Sequence, residues 1–106
     1  MVARGDIWLA RLDPTVGVEI QKTRPALVVS PDDLNSRLPL VTIVPLTSGS
    51  RPARFRVPVR FQDRQGLILA EQLRAVDKAR LVKYLGVVDD AALADVLRVL
   101  QKLFAP

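Results

Sequence analysis

The 106 residues of the chain include no cysteine and no histidine. Zinc sites, thiol nucleophiles, Ser-His-Asp triads and haem ligation by either residue are therefore excluded together, because each needs one of these side chains. Glutamate is also scarce, with Glu19 and Glu71 against nine aspartates. The exclusion of these site types is the firmest functional statement that composition supports.

Long hydrophobic runs are absent too. The longest apolar stretches, near Leu40 to Leu46 and Ala26 to Val29, are far shorter than a membrane span. Charged residues at Arg4, Asp6 and Arg11 interrupt the N-terminal segment, so it contains no signal-peptide hydrophobic region. We therefore expect a cytoplasmic protein with no membrane partner.

The composition present is that of a globular protein, with 49% hydrophobic and 25% charged residues. The length predicts one domain, residues 1–106, able to close a single core without disulfides or a structural metal. Net charge is +5, and 12 of the 16 cations are arginine. Arginine favours a polyanionic partner because its planar fork matches phosphate, although a GC-rich genome also enriches arginine.

Apolar runs and period-two alternation predict a mainly β fold. The expected strands cover 6–12, 25–30, 40–46, 54–61, 67–76 and 82–88. Ser30 as N-cap with Pro31 at the first helical position predicts a short helix. Asp89 and Asp90 open a C-terminal helix whose apolar stripe ends at Leu103 and Phe104. The predicted fold class is α+β, a small antiparallel barrel-like sheet with a short helix and a C-terminal amphipathic helix.

The segment Arg54 to Phe61 has the cleanest alternation in the chain. Arg54, Arg56 and Arg60 share one face with Pro58, which cannot donate a ladder hydrogen bond and predicts a strand at an edge or beside a bulge. Arginines on an exposed edge protect against aggregation, and they also suit a nucleic-acid groove. Both interpretations remain open.

The loop from Thr15 to Thr23 leads directly into the second strand and carries Glu19 and Lys22, with Arg24 just beyond. Such a loop is either a solvated connection or a functional element on a rigid scaffold. Its length favours function. At the end of the strand 40–46, Ser48 and Ser50 could bind phosphate oxygens or satisfy turn backbone, and we favour the turn.

Six ordered motifs resemble the MazF/PemK family of toxin endoribonucleases over nearly the whole chain. They are Arg4-Gly5-Asp6-Ile7-Trp8, Leu12-Asp13-Pro14-Thr15 with Gly17 and Glu19, Arg24-Pro25-Ala26 through Val29-Ser30-Pro31, Val41 to Thr47 ending Val-Pro-x-Thr, Leu69-Ala70-Glu71-Gln72, and Val76-Asp77-Lys78-Ala79-Arg80-Leu81. The order and number of these motifs make the signal specific.

The resemblance implies an SH3-like antiparallel barrel that works as a homodimer and cuts single-stranded RNA, often messenger RNA, at a short sequence. It implies attack by the RNA 2'-hydroxyl, 2',3'-cyclic phosphate and 5'-hydroxyl ends, and no metal or other cofactor. It also implies inhibition by a cognate antitoxin, with DNA reached only through that antitoxin.

Three positions match the family's active site: Arg24, Thr47 and Glu19. With histidine absent, Glu19 is the available base, Arg24 would neutralise the phosphorane and Thr47 would bind a nonbridging oxygen. Since guanidinium keeps its proton, water or a strongly perturbed Arg24 must protonate the leaving oxygen. Further candidate RNA contacts are Lys22, Thr23, Ser48, Arg51, Arg54, Arg56, Gln72 and Arg80.

The loop departs from the family pattern, because Ile20, Gln21, Lys22 and Thr23 occupy a stretch that usually holds glutamine and glycines. A loop without those glycines is stiffer, so the RNA sequence that it admits is expected to differ. Two other functions are compatible with such a barrel: a non-catalytic toxin that inhibits DNA gyrase, and an RNA-binding module without activity.

Overall fold

The computed structural model describes all 106 residues. It contains seven strands, two α-helices and two short 3-10 turns. The elements are β1 (Asp6–Arg11), β2 (Thr23–Val28), α1 (Asp32–Arg37), β3 (Leu40–Thr47), β4 (Arg56–Phe61), β5 (Arg64–Leu69), a 3-10 turn (Ala70–Gln72), β6 (Arg74–Asp77), a second 3-10 turn (Lys78–Arg80), β7 (Leu81–Val87) and α2 (Asp90–Leu103).

The strands form one curled antiparallel sheet with the order β4-β5-β3-β2-β1-β7. Strand β3 has two neighbours along one edge, since its first half pairs with β6 and its last residues pair with β5. The curl brings the two ends of the sheet together: a Cβ at Gly86 of β7 would lie 3.5 Å from the ring of Phe61 in β4. The predicted α+β fold, an antiparallel barrel-like sheet with a short helix and a C-terminal helix, is confirmed, and the curled sheet forms a half-barrel.

Helix α2 closes the larger of two hydrophobic clusters. Val96 is fully buried there beside Leu27 and Ile68, and burial of such a side chain contributes about 1.5–3 kcal/mol. The helix begins as predicted, because the Asp89 carboxylate accepts a hydrogen bond from the Ala92 N–H at 2.7 Å. Phe104 is 71% exposed, so its predicted place in the packing stripe is wrong.

Ser30 does not cap α1 as predicted. The N-cap is Pro31 and the helix starts at Asp32. Ser30 is buried, its hydroxyl donates to Asn35 Oδ1 at 2.5 Å and accepts from the Thr42 N–H at 3.0 Å. The side chain is therefore used to join α1 to β3.

The strand predicted over 67–76 is two strands. The 3-10 turn Ala70–Gln72 interrupts it, so that β5 pairs with the end of β3 and β6 pairs with its start. This turn places Gln72 beside the loop that joins β1 to β2, where its side chain accepts a hydrogen bond from the Ile20 N–H.

Strand β4 is an edge strand, as Pro58 predicted, because it pairs only with β5. It begins at Arg56, so Arg54 lies outside the strand that the alternation predicted. Gly86 lies at a register shift between β1 and β7, as is typical of a β-bulge. No helix in the structure is long and apolar enough to cross a membrane.

Candidate active site

Arg24 and Thr47 line the same cleft, which consists of two adjoining depressions of about 360 Å³ each. They come from neighbouring strands, Arg24 near the start of β2 and Thr47 at the end of β3. The pairing of Ala26 with Pro45, continued by two residues, sets Arg24 opposite Thr47. Antiparallel pairing of two strands therefore brings together residues that are 23 positions apart.

The side chain of Arg24 is held at one nitrogen and free at two. Its Nε–H donates to the Gln21 carbonyl at 3.2 Å, and neither Nη atom has a partner in the chain. The bond to Gln21 thus orients the half-buried Arg24 side chain. The two Nη atoms, which in arginine can bind two phosphate oxygens, remain available on the side chain that lines the cleft.

The Thr47 hydroxyl is also oriented by the backbone. Its Oγ1 accepts a hydrogen bond from the Gly49 N–H at 3.2 Å, as in a turn stabilised by a threonine. A hydroxyl that accepts this bond keeps its own proton for a second partner. Thr47 can therefore donate to an oxygen bound beside Arg24.

Arg24, Thr47 and Ser48 form a shared edge between two depressions. On one side lies the hairpin compartment, formed by the hairpin of β4 and β5 through Phe61, Gln62, Arg64, Gln65 and Gly66. On the other side lies the loop compartment, formed by Val18, Ile20, Gly49, Ser50, Leu69 and Gln72. A chain bound across the shared edge would extend into both.

The loop between β1 and β2 is fixed near its ends and exposed at its tip. The Ile20 N–H donates to Gln72 Oε1 at 2.8 Å, and the Leu12 N–H donates to the Lys22 carbonyl at 2.9 Å. Lys22 has a positive φ of 68°, a conformation that glycine adopts without cost. In this chain, Lys22 therefore adopts a left-handed conformation in the stretch where the family pattern usually has glycines.

Glu19 does not line the cleft. It is exposed at the loop tip, and its Oε1 accepts a hydrogen bond from the Val16 N–H at 3.0 Å. Its neighbours Val18 and Ile20 do line the loop compartment. The structure therefore brings Arg24 and Thr47 together and leaves Glu19 beside them on the outer side of the loop.

Two of the remaining candidate RNA contacts, Ser48 and Gln72, line the cleft. Lys22 and Thr23 lie where the loop joins β2, next to Arg24 in the chain. Arg80 lies elsewhere, donating to the carbonyls of Arg11 at 3.0 Å and Asp13 at 2.6 Å. Its guanidinium supports the start of the loop.

Arg54 and Arg56 line a separate groove between β4 and α2, together with Arg98 and Lys102. Arg56 is paired with Glu71, Nη2 to Oε2 at 2.7 Å, and its Nη1 donates to the Arg51 carbonyl at 2.9 Å. Arg56 is therefore committed to holding the segment before β4, while the Arg51 and Arg54 side chains have no partner in the chain.

The sequence interpretation missed the hairpin compartment. The turn of this hairpin is formed by Gln62 and Asp63, with φ of 52° and 60°, and Phe61 pairs with Arg64. The period-two pattern up to Phe61 located the hairpin. Nothing in the sequence showed that the hairpin residues Gln62 and Gln65 line the same depression as Thr47.

Comparison with known proteins agrees with the motifs. A family described as PemK-like, MazF-like toxin of type II toxin-antitoxin system matches residues 3–104. The chain belongs to this family. Endoribonuclease PemK of Escherichia coli is 41% identical over 100 residues, which cover 89% of this chain and 75% of that protein. Endoribonuclease MazF of Staphylococcus epidermidis is 31% identical, covering 91% of this chain and 85% of the relative.

Two solved structures share the fold. MazF from Deinococcus radiodurans superposes with a TM-score of 0.83 at 30% identity, covering 97% of this chain and 94% of that one. A mycobacterial endoribonuclease in complex with its cognate antitoxin gives a TM-score of 0.84 at 25% identity, covering 100% and 98%. This MazF/PemK-type toxin therefore shares its half-barrel with a MazF and with an endoribonuclease that was solved in complex with its cognate antitoxin.

Proposed function

We propose that this endoribonuclease toxin of the MazF/PemK type cuts single-stranded RNA, including messenger RNA, at a short sequence and without a metal ion. The 2'-oxygen attacks the adjacent phosphorus and the bond from phosphorus to the 5'-oxygen breaks. The products are a 2',3'-cyclic phosphate and a 5'-hydroxyl. The observation that carries the proposal is the meeting of Arg24 and Thr47 at one edge of one cleft.

Charge stabilisation is the step that this geometry supports best. The free Nη atoms of Arg24 suit two oxygens of a phosphate, and the Thr47 hydroxyl has a proton to donate to one of them. Negative charge grows on these oxygens as the pentavalent phosphorane forms. Donors fixed in advance stabilise such charge at little reorganisation cost.

Glu19 is proposed as the base that removes the 2'-hydroxyl proton. Of the two carboxylates in the loop, Asp13 and Glu19, Glu19 directly precedes Ile20, which lines the loop compartment, and its side chain is bonded to the Val16 N–H. Rotation of the exposed tip, between the anchors at Leu12 and Ile20, would move it to the loop compartment. A water is proposed to protonate the 5'-oxygen, because arginine side chains are not deprotonated in proteins.

Three features of biological context complete the proposal. We propose that a cognate antitoxin inhibits the toxin, that DNA is reached only through this antitoxin, and that the active form is a homodimer acting in the cytoplasm, where messenger RNA lies. Leu34, Leu38 and Leu40, which are 44–46% exposed, offer apolar surface that a second copy could cover. Sedimentation of the free chain measures the dimer directly.

The deciding experiment compares a defined single-stranded RNA with the same RNA carrying one 2'-deoxyribose at the cut site, both in excess EDTA. We expect cleavage of the RNA alone, with a cyclic phosphate detected by mass. Equal cutting of the two substrates would refute 2'-hydroxyl attack, and loss of cutting in EDTA would refute metal independence. Binding of RNA without cutting would indicate an RNA-binding module. If the protein neither bound nor cut RNA, the remaining alternative would be a toxin that inhibits DNA gyrase.

A further inference from the structure

We propose that the hairpin compartment selects the base next to the scissile phosphate, with Gln65, Gln62 and Arg64 as the residues that read it. This inference rests on the proposed RNA cleavage at Arg24 and Thr47, and it adds a specificity determinant. The occupant is one nucleobase of the substrate strand, bound on the far side of the shared edge from the loop between β1 and β2.

The first support is the availability of these side chains. Gln62, Arg64 and Gln65 are exposed, line the cleft, and make no side-chain hydrogen bond within the chain. Gln72 on the opposite side accepts from the Ile20 N–H, so one of its polar atoms is already occupied. The unpaired donors and acceptors of the cleft are therefore concentrated on the hairpin side.

The second support is position. A phosphate held by Arg24 and Thr47 lies at the boundary between the two compartments, since both residues line both. The nucleosides on either side of that phosphate must then leave in opposite directions. One base enters the loop compartment and the other enters the hairpin compartment.

The third support is chemistry. A glutamine amide presents both a donor and an acceptor, and an arginine fork presents paired donors that match guanine O6 and N7. The edge of an unstacked base in single-stranded RNA is accessible to such groups. Phe61 at the same wall offers an aromatic ring on which a base can stack.

The fourth support is rigidity. The turn at Gln62 and Asp63 is a two-residue hairpin with both residues left-handed, and the pairs from Arg56–Leu69 to Phe61–Arg64 fix its register. Gly66 approaches the Thr47 backbone so closely that an added Cβ would lie 3.1 Å from the Thr47 carbonyl oxygen. The reading side chains are thus held at a fixed distance from the catalytic hydroxyl.

The test uses the full-length toxin and a single-stranded RNA pool with random sequence. New 5'-hydroxyl ends are sequenced to give the base preference at each position around the cut. Gln65→Ala, Gln62→Ala and Arg64→Gln are compared with the wild type, and Gln65→Glu replaces the amide donor at that position with a second acceptor. The matched control is Gln101→Ala, which removes an exposed amide from α2 away from the cleft.

We expect Gln65→Ala or Gln62→Ala to lower the preference at one base flanking the cut by about 10-fold, with the other positions unchanged. Gln65→Glu should change which base is preferred there, a result that altered folding alone would not produce. An identical preference in all hairpin variants would overturn the inference while leaving RNA cleavage intact. A wild type that cuts no RNA would instead overturn the proposed function.

Discussion

Ile20 and Gln72 are joined by a hydrogen bond of 2.8 Å, although they are 52 positions apart in the chain. The donor is the loop backbone and the acceptor is a side chain in the 3-10 turn between β5 and β6. This bond fixes the wall of the loop compartment next to Arg24. The 3-10 turn that separates β5 from β6 therefore helps to position one wall of the candidate site.

Replacing Gln72 with alanine should release that wall without unfolding the protein. Loss of one such bond costs about 0.5–1.5 kcal/mol, and the Ile20 N–H then loses its partner in the chain. We expect faster hydrogen exchange at the Ile20 amide and slower RNA cleavage, with the rest of the sheet still protected. Unchanged exchange at Ile20 would show that other contacts hold the loop.

Arg24 should be required for its fork as well as for its charge. Arg24→Lys keeps the cation and loses the paired Nη donors, so we expect both Arg24→Lys and Arg24→Ala to lower the cleavage rate about 10²–10³-fold. The unfolding free energy should change by less than about 1 kcal/mol, because one hydrogen bond to Gln21 is lost. Arg37→Ala, at an exposed position in the last turn of α1, is the control. A lysine variant with near-normal turnover would show that charge alone suffices.

The fold was predictable because its strands and its last helix follow simple apolar periods. The alternation from Val57 to Phe61 located β4, and Asp89 located the start of α2. The break at Ala70–Gln72 was not predictable from the same signal, since Leu69 and Ala70 are buried like strand residues. It follows from pairing, because β3 is long enough to take β5 and β6 end to end.

The candidate site was predictable only in part, for a similar reason. Arg24 and Thr47 lie in motifs that the family resemblance identifies, and adjacent strands bring them together. Gln62 and Gln65 are ordinary turn and strand residues in the sequence. Their place in the cleft depends on the pairing of Thr47 with Leu67, a contact that no local pattern encodes.

Gly66 should be far less tolerant of alanine than Gly49. A Cβ at Gly66 would meet the backbone carbonyl of Thr47 at 3.1 Å, whereas a Cβ at Gly49 would meet only the Thr47 Oγ1 at 3.9 Å. We expect Gly66→Ala to cost about 1–3 kcal/mol of unfolding free energy and to slow cleavage, because β5 must move away from β3. Gly49→Ala should have a smaller effect on the unfolding free energy and on the cleavage rate. Equal denaturation midpoints and equal rates would show that the hairpin is free to shift.

Binding of RNA should weaken steeply with salt, because cations at the cleft displace counterions from phosphates. On single strands the log–log slope is about −0.7 for each phosphate neutralised. We expect Arg24→Gln, at the shared edge of the cleft, to reduce the slope by about 0.7, while Arg37→Gln, which removes the same charge from the last turn of α1, leaves it unchanged.

Anisotropy titrations with an RNA made uncleavable by one 2'-deoxyribose measure this slope between about 50 and 200 mM salt. Arg54→Gln tests the groove between β4 and α2 in the same way, since Arg54 is a cation of that groove with no partner in the chain. A reduced slope in Arg54→Gln would extend the RNA path to α2, whereas an unchanged slope would confine it to the cleft. Equal slopes in Arg24→Gln and Arg37→Gln would mean that Arg24 does not contact the RNA backbone.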